Sequence, residues 1–161
     1  MKRHPENTEE LFAMANLRKG STILDMGAGD GSSSALFPEY EWTLIDIAPV
    51  SEKVAKADML ALPFPDESFD AVLSQCAFFA SGNPDKAMAE AMRVLKTGGK
   101  LLLSDVFFRE PDFPADERKD ITPQWREYYF DLLWSDESPE FCHMKGAPKY
   151  YLILRTKNGS E

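Results

Sequence analysis

The chain is poor in cysteine, in histidine and in long apolar stretches. It has two cysteines and two histidines among 161 residues. Cys76 and Cys142 form no Cys-x-x-Cys pair and no disulfide framework, so we expect free thiols and no metal site. No apolar stretch approaches the roughly 18 residues of a membrane span, so we expect no membrane segment.

Basic residues are also scarce. The chain has 18 lysines and arginines against 27 aspartates and glutamates, a net charge of −9. Nucleic-acid binding needs a basic face, so we expect no nucleic-acid partner. The charged residues 1–7 precede no apolar stretch, which predicts no secretory signal and a cytoplasmic protein. The length suits one domain over residues 1–161.

The most informative motif is Ile-Leu-Asp-Met-Gly-Ala-Gly-Asp-Gly at residues 23–31. An apolar strand carrying Asp25 leads into Gly27, Gly29 and Gly31, and three serines then open a short helix. Glycines let the backbone turn sharply and approach a ligand, and a helix start offers N–H donors. Dinucleotide sites use G-x-G-x-x-G, and a carboxylate near a pyrophosphate would repel it but would attract an ammonium group. The motif therefore favours a nucleotide-type cofactor other than a dinucleotide.

A second acidic residue, Asp46, stands at the end of the predicted second strand. Acidic residues at that position commonly accept hydrogen bonds from ribose hydroxyls. Asp46 therefore supports a nucleoside without choosing one, and a solvated aspartate at a strand end is the alternative.

Apolar periodicity predicts alternating strands and helices. The predicted helices are 7–17, ended by Gly20, then 31–37, 83–96 and 122–134, and the predicted strands are 21–26, 41–47, 54–57, 70–75, 100–106 and 149–156. We expect residues 107–120 to be a loop and residues 141–144 to pair with the last strand. This alternation predicts an α/β fold with a doubly wound, mostly parallel sheet.

Two further stretches carry a family resemblance. Residues 57–74, beginning Ala-Asp-Met-Leu, and residues 87–105, which contain Leu-Lys-Thr-Gly-Gly, follow the glycine loop in order. Together they resemble the small-molecule class I S-adenosylmethionine (SAM) dependent methyltransferases over about residues 21–106. The resemblance implies a Rossmann-like sheet with an antiparallel C-terminal strand. It also implies SAM as cofactor, S-adenosylhomocysteine as product and a small-molecule methyl acceptor.

The resemblance also implies site residues. The cofactor set is Asp25, Gly27, Ala28, Gly29, Gly31, Asp46, Ile47, Asp58, Met59, Gln75 and Cys76. Asp25 is expected near the methionine end of SAM, whereas Asp58 receives the adenine amino group and Met59 packs on the ring.

The acceptor side is expected at three aromatic residues, Phe78, Phe79 and Phe107, which can equally cover the core. Asp105 and His143 are the candidate catalytic groups, although Asp105 can instead cap a loop. A dedicated base is optional, because SAM supplies the reactivity and the protein supplies the positioning.

The chain also departs from the family. Only 11 residues separate Asp46 from Asp58. A crossover with its helix needs a dozen or more residues, so this helix should be reduced or absent. We expect the N-terminal helix within residues 1–19, or a second copy of the chain in a homo-oligomer, to cover the exposed sheet. Residues 107–135 form at most a partial lid.

Two other functions fit parts of the pattern. The small lid and the missing helix also fit a SAM-binding or degenerate methyltransferase-like protein that acts as a partner or regulator. A nicotinamide dehydrogenase is disfavoured by the glycine spacing and by Asp25.

Overall fold

A computed structural model describes residues 4–127 and 148–159. Its strands are β1 (Thr22–Met26), β2 (Glu41–Asp46), β3 (Ala55–Lys56), β4 (Phe69–Gln75), β5 (Leu95–Phe107), β6 (Glu117–Asp120) and β7 (Lys149–Thr156). Its helices are α1 (Pro5–Ala15), α2 (Ser32–Leu36) and α3 (Pro84–Val94), and residues 122–127 are also helical.

The strands form one sheet in the order β3-β2-β1-β4-β5-β7-β6. The pairs among β1 to β5 are parallel, whereas β7 is antiparallel to both of its neighbours. The predicted fold class is therefore confirmed, including the antiparallel C-terminal strand. Within residues 4–127 and 148–159, no helix has the length and apolar character of a membrane span.

Each sheet face carries its own core because neighbouring strand residues point to opposite sides. On one face Leu24 and Val72 pack with the α3 residues Ala87 and Ala91. On the other face the apolar side of α1, with Leu11, Phe12 and Ala15, packs with the strand residues Ile23, Leu73 and Leu102. Helix α1 is therefore part of the core.

Helix α1 differs from its predicted bounds. It begins at Pro5, where a missing N–H costs nothing, and it ends at Ala15. Asn16 follows in the left-handed conformation, and its N–H donates to the Phe12 carbonyl at 3.1 Å. The prediction that Gly20 ends this helix is wrong. Threonine is a residue type that often caps helices, but Thr8 lies inside the helix and is buried.

The Gly-Gly stretch belongs to a strand. Helix α3 ends at Val94, and β5 follows directly from Leu95. The prediction that this strand begins at residue 100 is therefore wrong. The Gly98 N–H donates to the Lys157 carbonyl at 2.8 Å, and the Lys157 N–H donates to the Gly99 carbonyl at 2.9 Å. Pairing with the C-terminal segment thus extends the strand beyond its apolar part.

Residues 107–120 are not entirely a loop. Residues 117–120 form the edge strand β6 through pairing with β7, for example Arg118 with Ile153. All four residues are charged and exposed, so no apolar alternation marks them as a strand. The remainder of the predicted helix 122–134 and the predicted strand 141–144 lie outside the described residues.

The connection between β2 and β3 has lost its helix, as predicted. Residues 47–54 form bends and one short turn, without a helix. The Phe12 ring of α1 stacks on Phe37 at 4.1 Å and lies 5.8 Å from Trp42 at the start of β2. Ile47 and Val50 remain 61% and 75% exposed. Helix α1 therefore covers the beginning of β2 and leaves these two side chains uncovered.

Candidate functional site

The loops that follow β1, β2, β3 and β4 enclose a cleft of about 480 Å³ at the carboxyl edge of the sheet. Ligands of open α/β sheets bind at this edge. The predicted cofactor residues that line the cleft are Gly27, Gly29, Asp46, Ile47, Asp58, Met59, Gln75 and Cys76. The prediction missed the small residues Ala57, Ala77, Ala80 and Ser81, which form the rest of its wall with Ile45 and Leu60.

The glycine loop uses its backbone donors within the protein. The Ile45 carbonyl accepts from the N–H groups of Gly27 and Ala28, at 3.1 and 2.8 Å. The Gly29 N–H donates to Asp46 at 2.9 Å, and the Gly31 N–H donates to the Ala28 carbonyl at 2.9 Å. A phosphate site presents such N–H groups to its ligand. These four groups are therefore not arranged to cradle a pyrophosphate.

Gly27 is required by a close approach. Its φ is +76°, and a Cβ there would lie 2.6 Å from the Cβ of Ala77. The loops after β1 and β4 meet at this point. The other predicted loop residues lie behind the cleft wall. Asp25 and Ala28 have no exposed surface, and a Cβ on Gly31 would lie 2.7 Å from the Lys53 side chain.

Two carboxylates face the cleft and are fixed by backbone donors. Asp46 accepts from the N–H groups of Gly29 and Ala48, each at 2.9 Å. Asp58 accepts from the Leu60 N–H at 2.9 Å. A carboxylate has about four acceptor positions, so both side chains keep acceptor capacity for a ligand.

Side chains of α3 hold the wall that carries Asp58. Arg93 donates to the carbonyls of Leu62 and Phe64, at 3.1 and 2.8 Å, and to Asp66 at 2.9 Å. Glu90 accepts from the Leu62 N–H at 2.8 Å and from Arg93 at 2.6 Å. The hydrogen bond from Arg93 lowers the pKa of the Glu90 carboxyl. The i, i+3 spacing of the pair on a helix was a sequence signal for this clamp.

Gln75 and Cys76 end β4 beside the glycine loop. The Gln75 side chain is buried and bonded to Thr8 and Ser33. Cys76 has φ +57°, which is uncommon for a residue other than glycine, and its N–H donates to the Ser104 carbonyl at 2.7 Å. Its sulfur lies 2.7 Å from the Tyr150 hydroxyl, a tyrosine whose pKa is raised by burial.

A second, apolar cavity of about 380 Å³ lies next to the cleft. The segment after β4 contributes Ala77 to the cleft, and Phe78 and Phe79 to the apolar cavity. Other lining side chains include Met88, Leu103, Phe107, Phe108 and Phe113. The structure thus brings the three predicted acceptor-side phenylalanines together.

Asp105 lies in the wall of the apolar cavity and braces the segment after β4. Its carboxylate accepts from the N–H groups of Phe78, Phe79 and Val106, at 3.0, 3.2 and 2.8 Å. Burial raises the pKa of Asp105 to about 7. His143 and Cys142 lie outside the described residues.

The fold and the cleft define a Rossmann-like α/β protein with a site for a nucleoside-type ligand. The family model described as a methyltransferase domain matches residues 24–103. The chain belongs to the class I SAM-dependent methyltransferase family.

Known proteins show similarity of two kinds. The demethylmenaquinone methyltransferase of Renibacterium salmoninarum is 36% identical over 106 residues, which cover 58% of this chain and 44% of that protein. The chain spans about half the length of the curated relatives it matches. The YcgJ structure from Bacillus subtilis has a TM-score of 0.69 at 20% identity, over 96% of this chain and 99% of that one.

A structure solved with S-adenosyl-L-methionine bound also shares the fold. It is phosphoethanolamine N-methyltransferase 2 of Haemonchus contortus, with a TM-score of 0.69 at 15% identity. The alignment covers 95% of this chain and 52% of that one.

Proposed function

We propose that this chain binds SAM in the cleft and transfers its methyl group to a small-molecule acceptor. The observation that carries the proposal is that the N–H groups of the glycine loop donate hydrogen bonds to Ile45, Asp46 and Ala28. A nicotinamide dinucleotide needs free N–H donors for its pyrophosphate, whereas SAM has no pyrophosphate. The family membership of the chain supports the same cofactor.

The residues of the cleft suit the chemical parts of SAM. In this proposal Asp46 accepts from the ribose hydroxyls, and Asp58 accepts from the adenine amino group. Ile47 and Met59 lie beside these carboxylates in the lining and offer apolar surface to the adenine ring. Gly27, Gly29, Gln75 and Cys76 line the glycine-loop end, which takes the methionine part. Asp25, Ala28 and Gly31 act from behind the wall by fixing the loop.

When bound, SAM would supply an activated methyl group on its sulfonium: the acceptor would attack the methyl carbon in line, and S-adenosylhomocysteine would leave as the carbon–sulfur bond breaks. The protein contributes position, which is worth roughly 7–11 kcal/mol in well-oriented reactions. We assign the acceptor to the apolar cavity at Phe78, Phe79 and Phe107, whose volume lies within the range of small-molecule sites. Asp105 is the candidate proton acceptor in its wall, and it also holds the segment shared with the cleft.

Calorimetric titration tests the cofactor assignment. We expect SAM and S-adenosylhomocysteine to bind at one site and NAD⁺ to give no heat. Asp46→Ala should weaken binding about 10- to 100-fold, because a hydrogen bond to a charged group is worth about 1.5–3 kcal/mol. Asp116→Asn is the matched control, since Asp116 is exposed and bonded to Thr156. Absence of SAM binding by the folded protein would overturn the proposal.

Turnover separates the enzyme from a binding protein. With methyl-labelled SAM and a panel of small aromatic and aliphatic acceptors, we expect label in a product. Binding without transfer across the panel would favour a SAM-binding protein that acts as a partner or regulator.

The binding experiment can also contradict the contact assigned to Asp46. It would do so if Asp46→Ala destabilised the protein without any loss of affinity for SAM.

Exposed Val50 motivates a further part of this proposal, a homo-oligomer that covers the β2–β3 side of the sheet. Sedimentation should give a mass above that of one chain, and Val50→Asp should lower it. A monomer at micromolar concentration would remove this part. We also propose a cytoplasmic protein without a nucleic-acid partner, in keeping with the net charge of −9.

A further inference from the structure

Three buried polar side chains connect helix α1 to the end of β4 and to helix α2, which follows the glycine loop. The Thr8 hydroxyl donates to Oε1 of Gln75 at 2.6 Å. Nε2 of Gln75 donates to the Ser33 hydroxyl oxygen at 2.9 Å. The three residues are 1%, 4% and 3% exposed, respectively. Each comes from a different element, because Thr8 lies on α1, Gln75 ends β4 and Ser33 lies in α2.

Of the two residues to which Thr8 is connected, Gln75 lines the cleft. Ser33 lies in α2, two residues after Gly31 of the glycine loop. Thr8 has no place in the cleft lining. It reaches the cleft only through the Gln75 amide, whose orientation it selects by donating to the oxygen and leaving the nitrogen to face Ser33.

We propose that Thr8 is a positioning residue for the cofactor and that docking of α1 and cofactor binding are thermodynamically coupled through Gln75. The inference rests on the proposed function, and it adds a part for a helix outside the residues that match the family model. A buried acceptor that loses its donor costs free energy. Without the Thr8 hydroxyl, the Gln75 side chain can therefore keep its orientation only by leaving its oxygen without a donor.

The coupling has two measurable sides, since linkage is reciprocal. Loss of the Thr8 hydroxyl weakens cofactor binding, and cofactor binding steadies α1. Substitutions within such networks change coupling by amounts that correspond to about 2- to 30-fold in affinity. A hydroxyl that serves only the stability of α1 would change neither quantity.

The experiment titrates S-adenosylhomocysteine into wild type, Thr8→Val and Thr8→Ser. We expect Thr8→Val to bind about 2- to 30-fold more weakly, and Thr8→Ser, which keeps the hydroxyl, to bind nearly as wild type does. Thr22→Val is the matched control. Thr22 also makes side-chain hydrogen bonds, to Asp70, but it lies at the start of β1, at the end of the parallel strands opposite to the cleft. It should lose stability and keep its affinity.

Hydrogen exchange of residues 5–15 gives the reciprocal readout. S-adenosylhomocysteine should slow exchange in α1 of wild type and slow it less in Thr8→Val. If Thr8→Val does not fold, Ser33→Ala and the wild-type exchange decide, because Ser33→Ala breaks the same chain of hydrogen bonds from the other end.

The coupling would be overturned if Thr8→Val and Thr22→Val bound S-adenosylhomocysteine with equal affinity. It would also be overturned if the ligand left hydrogen exchange in α1 of wild type unchanged. In both cases SAM binding itself would stand. Failure of wild type to bind S-adenosylhomocysteine would instead overturn the proposed function, and the coupling with it.

Discussion

The two ends of the cleft are held in different ways. The wall with Asp58 and Met59 is held by charged groups, Glu90 and Arg93, and the Arg93 side chain is about a third exposed. The glycine-loop end is held by neutral side chains that are almost fully buried. Water and salt screen charged groups near the surface, whereas a buried neutral hydrogen bond is insensitive to both. The ends should therefore respond differently to pH, to salt and to substitution.

The largest expected effect concerns Asp105, which holds the segment after β4 through Phe78 and Phe79. Asp105→Asn should cost about 3 kcal/mol at pH 5, where the wild-type carboxyl is protonated: its hydroxyl oxygen can still accept from a backbone N–H, whereas the amide NH2 that replaces it cannot, so a buried N–H loses its partner. Urea unfolding of both proteins measures the difference.

The pH dependence of that cost has a definite sign. The folded pKa of Asp105 is raised to about 7, so wild type loses stability as the pH rises from about 4 to about 7. Asparagine does not titrate. The cost of Asp105→Asn should therefore shrink by about 2–3 kcal/mol between pH 5 and pH 8. A cost independent of pH would contradict the raised pKa.

The next effect separates the charged clamp from an ordinary surface pair. Arg93→Gln should lower the free energy of unfolding by about 2 kcal/mol, since Glu90 and two carbonyls lose a charged donor. Lys96→Gln is the control, because its ion pair with Asp70 is exposed and worth about 1 kcal/mol at most. Equal losses would mean that the clamp contributes no more than a surface pair.

A third prediction compares ligand fragments. Asp58→Asn keeps the acceptor for the Leu60 N–H and loses the charge, so affinity should fall about 10-fold. The loss should be the same for S-adenosylhomocysteine and for 5′-methylthioadenosine, which lacks the amino-acid part. Thr8→Val should weaken the full ligand more than the fragment. A reversed pattern would exchange the assignments of the two ends.

The smallest effect concerns salt. Between 0.1 and 1 M salt the Debye length falls from about 10 to about 3 Å. The stability difference between wild type and Arg93→Gln should shrink by a few tenths of a kcal/mol, because only the contact of Arg93 with the exposed Asp66 is open to screening by salt. The difference between wild type and Thr8→Val should stay constant. A salt-dependent Thr8 effect would point to a charged partner.

The sequence predicts best what depends on neighbours along the chain. The bounds of β7 agree with the structure, those of β1 and β2 agree within one residue, and Asp46, Asp58 and Gln75 come to one cleft as expected. Strand β6 escapes prediction because only pairing with β7 makes its charged residues a strand. Thr8 is another such residue: threonine is common at helix caps, and nothing near it in the chain indicates its hydrogen-bond partner Gln75, which is 67 residues away.

The edges of the sheet limit how copies of this chain can assemble. In the part of the chain that the structure describes, the sheet ends at β3, which has two residues, and at β6, which reads Glu-Arg-Lys-Asp. A very short strand and a fully charged strand are both poor templates for adding a strand from another molecule. Growth of the sheet from copy to copy is therefore disfavoured at both edges, and association has to use a face or a turn.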